Sequence, residues 1–256
     1  MKENLNYSDY EIMFLNEQPI DTCQLTDAFI CTNSDSLTMF SYSSISNENV
    51  LGPLRKIQIH GAYGCAVNEK ENEIYISDKV SNYVYKMDAN LKQIGKYGST
   101  GNGQYELNSP HGISFNYGFL FICDYKNKRV QILDSNLQFS HSLPLDFSPI
   151  SIALSNNGIL GICGDNETCF FDVESLTLIR VFPDYSGRIN FIKPNFYVVS
   201  NERTYIFDNV GNIVDEIEMN RFRKFLNEKM DGHIFFHEDN FFISSASTYR
   251  FLRFKN

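Results

Sequence analysis

Tyr97-Gly-Ser-Thr-Gly-Asn-Gly-Gln-Tyr-Glu-Leu-Asn-Ser-Pro-His-Gly112, continuing as Ile113-Ser-Phe-Asn-Tyr-Gly-Phe-Leu-Phe-Ile-Cys-Asp-Tyr-Lys-Asn-Lys-Arg-Val-Gln-Ile-Leu-Asp134, reads as a Gly-rich turn followed by three short β segments. Gly112–Phe115 and Phe121–Cys123 are apolar runs. The turn Asn116-Tyr117-Gly118 between them is of the kind whose residues supply the positive φ of a tight hairpin. Arg129–Leu133 is the third segment, and it ends on Asp134. A turn and a fourth strand follow this pattern elsewhere in the chain, at Leu91–Tyr97 and Asn212–Glu218. The unit is four antiparallel strands.

Outward from this stretch, one phrase recurs: apolar residues followed by Cys or Ser. It occurs at Phe29-Ile30-Cys31, Tyr75-Ile76-Ser77, Phe121-Ile122-Cys123, Gly161-Ile162-Cys163, Val198-Val199-Ser200 and Phe242-Ile243-Ser244, with spacings of 46, 46, 40, 37 and 44 residues. Such a period is that of a β-propeller blade, so six phrases predict an all-β, six-bladed β-propeller with four antiparallel strands per blade, in one domain spanning 1–256. The last repeat has three strands. The β-like run Tyr10–Asn16 has no blade of its own, so it is expected to pair with Tyr249–Lys255 and close the ring, removing exposed sheet edges. The Cys/Ser slot reads as a packing position near the axis. Asp88, Asp134, Asp172 and Asp208 end the third strand in four blades.

The stretch 97–134 closely resembles an NHL repeat, with its Gly-rich turn, Pro-x-Gly-Ile start, strand ending in Asp, and Asn-x-Arg-Val-Gln. Gly64-Cys-Ala-Val67, Tyr75-Ile-Ser-Asp78 and Asn82-Tyr-Val-Tyr85 repeat it more loosely. The other blades keep the period and lose most signature residues. The resemblance implies a propeller that works as a binding or scaffold module. Some propellers similar to NHL proteins are lyases that hold a metal with His residues from several blades, and some animal NHL domains bind RNA through a basic face.

Composition narrows these classes. A 43% apolar fraction with 14% aromatics and no Trp leaves Phe and Tyr to fill the core. The net charge of −9, without a long basic run, argues against nucleic acid and anionic membranes, since both are bound through Lys and Arg. No stretch approaches the ~18 apolar residues of a membrane span, and no secretory leader follows the first Met. The expectation is a cytoplasmic protein, monomeric, with six reduced cysteines, because Cys alternates with Ser in one slot and no CxxC pair is present.

No Walker loop, GxSxG elbow or HExxH helix is present, so no catalytic residue is assigned, and no metal or cofactor. The residues at the start of the innermost strands are Tyr63, His111, Ile150, Arg188 and Asp231 in blades two to six, and Asp21 or Thr22 in blade one. One His in this ring does not reproduce a metal-lyase pattern, which needs about three converging ligands. Tyr63, His111, Arg188 and Asp231 are the expected ligand-binding set at the channel mouth: Arg188 to fork a carboxylate, Asp231 to accept from an amine or hydroxyl, His111 to change role near neutral pH. The expected function is a non-enzymatic scaffold that binds a protein or peptide. The alternative is a metal-dependent lyase or hydrolase at the channel mouth. Met219–Met230 places Met219, Phe222 and Leu226 at helical spacing among basic residues, and is expected to be a connector of one or two helical turns or a docking helix for an acidic partner.

Overall fold

A computed structural model describes residues 20–25, 28–41, 53–200 and 203–216 in full, and residues 10–14, 217–218, 234–237, 240–245 and 250–255 as strand backbone. The first strand, β1 (Tyr10–Phe14), belongs to the last sheet. Blade one is β2 (Asp21–Gln24), β3 (Ala28–Thr32), β4 (Ser36–Ser41) and β5 (Arg55–Gln58). Blade two is β6 (Ala62–Asn68), β7 (Glu73–Asp78), β8 (Tyr83–Met87) and β9 (Gln93–Tyr97). Blade three is β10 (Pro110–Asn116), β11 (Phe119–Asp124), β12 (Arg129–Asp134) and β13 (Phe139–Pro144). Blade four is β14 (Pro149–Leu154), β15 (Ile159–Gly164), β16 (Glu167–Asp172) and β17 (Thr177–Pro183). Blade five is β18 (Arg188–Ile192), β19 (Asn195–Val199), β20 (Arg203–Phe207) and β21 (Ile213–Glu218). Each is a four-stranded antiparallel meander in chain order. The first strands pack on one another in succession, β2 on β6, β6 on β10, β10 on β14 and β14 on β18, which wraps the sheets around an axis. The architecture is a β-propeller.

The expectation of six equivalent blades is corrected. Five sheets are blades with described cores, and the buried apolar clusters lie between neighbouring members of those five. The remaining strands, β22 (Ile234–His237), β23 (Asn240–Ser245) and β24 (Arg250–Lys255), form with β1 a further four-stranded sheet in the order β1-β24-β23-β22. In it Tyr10 faces Phe254 and Phe14 faces Arg250. Its side chains lie outside the described residues, so the described packing is that of five blades, not six. The physical reason is that the phrase Phe242-Ile243-Ser244 reports a local strand pattern, whereas a blade is defined by the faces it buries. The Met219–Met230 connector also lies outside the described residues.

Local chemistry explains the repeat. In blades two, three and five the aspartate ending the third strand closes the outer hairpin. Oδ1 of Asp88 accepts the N–H groups of Asn90 and Lys92, that of Asp134 those of Asn136 and Gln138, and that of Asp208 those of Val210 and Asn212. This is the Asx-turn reason for finding Asp at a turn. Asp172 instead holds the N–H and hydroxyl of Ser175. The hairpin between β10 and β11 takes Tyr117 and Gly118 to φ of 53° and 79°, the left-handed pair that a two-residue turn requires.

The Cys/Ser slot faces the next blade at the axis. Ser77 Oγ accepts the Gly64 N–H at 2.8 Å and donates to the His111 carbonyl of blade three. Cys123 and Cys163 are buried at the same place in blades three and four, and in blade one Thr32 takes it, donating to the Tyr63 carbonyl, while Cys31 is buried on the other face. Blade five differs. Its Arg188 pairs with Val199 as Ser151 pairs with Cys163, so valine fills the slot. Ser200 lies in the following turn, bonded to the Arg203 carbonyl.

Tyr75, Phe29, Phe121, Phe170, Phe196 and Phe207 are the largest fully buried side chains. Each contributes roughly 1.5–3 kcal/mol or more on burial, but among the described residues Ile and Leu outnumber the buried aromatics and the cluster between blades one and two holds no buried Phe or Tyr, so the aromatics share the core rather than fill it.

Candidate functional site at the channel mouth

The inner strands of blades two, three and four carry a β-bulge at their starts, between Ala62 and Cys65, Pro110 and Ile113, and Pro149 and Ser151. A bulge takes a residue out of the ladder and re-aims it. Tyr63, His111 and Ile150 are the residues released, and Arg188 opens β18. Inter-blade contacts fix the register. A Cβ on Gly64 would meet the His111 carbonyl, one on Gly112 would meet that of Ile150, and Ser151 Oγ contacts both the N–H and the carbonyl of Ile189. One residue earlier, the mouth ring is therefore Tyr63, His111 and Ile150. Arg188 pairs with Val199 and Asp21 with Thr32, which places both one residue further along, at the rank of Gly64, Gly112 and Ser151.

Three of the four expected site residues come together. The Tyr63 and His111 rings lie 4.3 Å apart between centroids, and the Arg188 guanidinium carbon sits 4.8 Å from the Tyr63 ring. Arg188 of blade five thus reaches a ring of blade two. Asp231 lies outside the described residues. Ile150 brings no polar group.

Three further residues complete the cluster. Lys79 Nζ is 4.9 Å from the Tyr63 ring, Tyr125 stacks on His111 at 4.4 Å, and the Tyr125 hydroxyl donates to Asp165 Oδ2 at 3.1 Å. Each follows directly on the second strand of its blade, after Asp78, Asp124 and Gly164. That shared offset is the sequence signal that would have found them.

His111 Nδ1 is 2.8 Å from the Ser109 carbonyl. A carbonyl only accepts, so Nδ1 carries the proton and neutral His111 presents the Nε2 lone pair. Burial pulls the His111 pKa down to about 4. Lys79 and Arg188 push the same way, while the Ser109 hydrogen bond and Asp165 oppose them. His111 is therefore uncharged at neutral pH.

Burial pushes the Asp21 carboxyl up to about 7, against the attraction of Arg188 and the N–H groups of Cys65 and Thr22. Those N–H groups bond Asp21 Oδ2 at 3.0 Å and Oδ1 at 2.7 Å. Burial likewise raises the Tyr63 phenol, with Arg188 opposing.

Beyond this cluster the channel is open. A cavity of about 370 Å³ runs along the later residues of the five inner strands, lined among others by Thr22, Ala66, Ser114, Ser151 and Asn190, with Glu69 at its edge. Its size suits a small ligand. All six cysteines are free thiols. Five are buried and Cys23, on this cavity, is half-buried.

Among the described residues no group of three or more His, Cys, Asp and Glu side chains is arranged to hold a metal ion. No described helix is long and apolar enough to cross a membrane. No protein-family model matches the chain, and no curated protein matches it.

Proposed function

We propose that this protein is an NHL-type propeller that acts as a non-enzymatic binding scaffold for a protein or peptide partner, engaging it at the channel mouth. The observation that carries this reading is the convergence of Tyr63, His111 and Arg188 from three blades on one small area, with Lys79 beside them. Rigid strands position these groups, and such an arrangement is how loops and strand ends of a stable scaffold come to carry binding residues. Aromatic and Arg side chains at a partly buried centre are the composition of a binding hot spot. His111, held neutral and hydrogen-bonded through Nδ1, serves as an oriented acceptor.

The test is selection of a random peptide library displayed on phage against the immobilised protein. Enriched peptides are expected to lose at least tenfold in affinity towards His111→Ala combined with Arg188→Ala, with the variant's circular dichroism unchanged. Selected peptides that bind this folded variant as well as the parent would move the working surface away from the mouth.

A further inference from the structure

We infer that the channel mouth is an anion site and that the partner engages it through a carboxylate. The inference rests on the mouth being the binding surface and adds the chemistry it selects.

Two cations frame one aromatic ring. Lys79 Nζ and Arg188 Cζ stand 4.9 and 4.8 Å from the Tyr63 centroid. Among the described residues neither forms an ion pair; the ion pairs there join His60 to Asp35, Lys86 to Glu73, Arg129 to Asp124 and Arg203 to Glu216. In a chain with net charge −9, two cations that form no ion pair among the described residues, with only the buried Asp21 carboxyl attracted to Arg188, gather positive charge at the pore.

The carboxyls nearby have other work. Asp21 accepts from Thr22 and Cys65 through its two oxygens, and Asp165 accepts the Tyr125 hydroxyl. Burial is the main cause of the depressed basicity of His111, and Lys79 and Arg188 add to it by disfavouring a third positive charge there.

A carboxylate placed at the mouth answers each feature. Arg188 supplies a planar fork that matches two carboxylate oxygens, and Lys79 supplies a point charge. The added negative charge also favours protonation of His111 at Nε2, which turns an acceptor into a third donor. The groups facing His111 are the Ser109 carbonyl, Tyr63, Tyr125, Lys79, Arg188 and Asp165. Of these described groups only Asp165 carries a carboxylate, and it already accepts the Tyr125 hydroxyl.

The experiment follows the His111 ring proton by NMR, assigned with His111→Gln, as probes are titrated at several pH values. The probes are tetra-alanine with a free C-terminal carboxylate, its C-terminal amide, an N-acetylated and amidated peptide with one central Glu, acetate, and inorganic phosphate. The free-carboxylate peptide is expected to bind saturably and raise the His111 pKa by about one unit or more, whereas the amide leaves it in place. Arg188→Ala and Lys79→Ala should each weaken that binding about tenfold. Arg188→Lys, which keeps the charge and loses the fork, should fall between Arg188→Ala and the parent and serves as the variant least exposed to misfolding.

Equal shifts from the central-Glu peptide support the carboxylate and assign it to a side chain; shifts from the free terminus alone assign it to a chain end. A response to phosphate but to no carboxylate, or identical responses to free and amidated peptide, overturns the inference. In that event the phage selection still decides whether the mouth binds a partner.

Discussion

The two ends of the channel are built from the same five inner strands and are opposite in character. At the strand starts, bulges release Tyr63 and His111, and Arg188 reaches across to them, so that end is filled by large polar and aromatic groups. One to three residues further along, the same strands present Ala66, Ser114, Ser151 and Asn190 around a cavity of about 370 Å³. The hydrogen bonding is the same type throughout. Side-chain size and bulge placement alone make one end a cluster and the other a space. Where a bulge falls thus decides where a propeller can bind, more than how many strands it has.

The largest expected effect probes charge at the closed end. Asp21 titrates near 7 in the folded protein, against an ordinary 3.8. Its stabilising contribution is full below about pH 4 and is lost as pH rises towards 7. His111 titrates near 4 against 6.5; its contribution is full above 6.5 and is lost as pH falls towards 4. At about 1.4 kcal/mol per unit these are worth about 4 and about 3 kcal/mol. They oppose each other and nearly cancel between pH 4 and 6.5. Asp21→Asn removes one of them, so urea unfolding of the variant relative to the parent should improve by about 4 kcal/mol between about pH 3 and 8. A constant difference across that range would mean that Asp21 is not desolvated as the structure has it.

Next comes the packing that holds the closed end together. A Cβ on Gly64 would lie 2.7 Å from the His111 carbonyl oxygen, a backbone atom that cannot swing aside. Gly64→Ala should cost about 3 kcal/mol, the upper part of the overpacking range, and should broaden the His111 NMR signal. Retention of parental stability would show that the two blades tolerate separation at the axis.

Ser151→Ala removes a hydroxyl that bridges Ile189 N–H and carbonyl at 3.1 and 3.3 Å. The expected loss is about 1 kcal/mol, with His111 unaffected because the change lies on the cavity side. A larger loss, or a moved His111 signal, would erase the distinction between the two ends.

The smallest effect belongs to Cys23. Burial raises the thiols of Cys31, Cys65, Cys123, Cys163 and Cys169, and reactivity follows the thiolate. Intact-mass analysis during maleimide labelling should show one fast adduct at Cys23 and leave the unfolding midpoint nearly unchanged. Two or more fast adducts would mean that the closed end also admits reagent.

Much of this was legible in the sequence. The four-strand unit followed from 97–134, and the pairing of β1 with β24 from the unmatched run at Tyr10. What stayed hidden has physical causes. Lys79, Tyr125 and Asp165 sit just beyond strands, where the alternation of faces no longer marks them and only their shared offset from the second strand does. That Asp21 ranks with Gly64, and that Val199 rather than Ser200 fills the slot, depends on register, and a slip or bulge of one residue leaves composition unchanged while turning side chains to the other face. The number of packed blades depended on faces buried, which a recurring tripeptide does not report.

Gly64 and Gly112 touch the backbone of the next blade, while Ser151 and Arg188 occupy the same rank in blades four and five. In a ring of wedges the thin edge has least room, and there a missing side chain lets two blades meet backbone to backbone. Where the rank reads glycine the wall of the channel is peptide; where it reads arginine a long side chain crosses to the Tyr63 ring on the far wall. One position per blade thus decides both how closely the wedges meet and what spans the space between them.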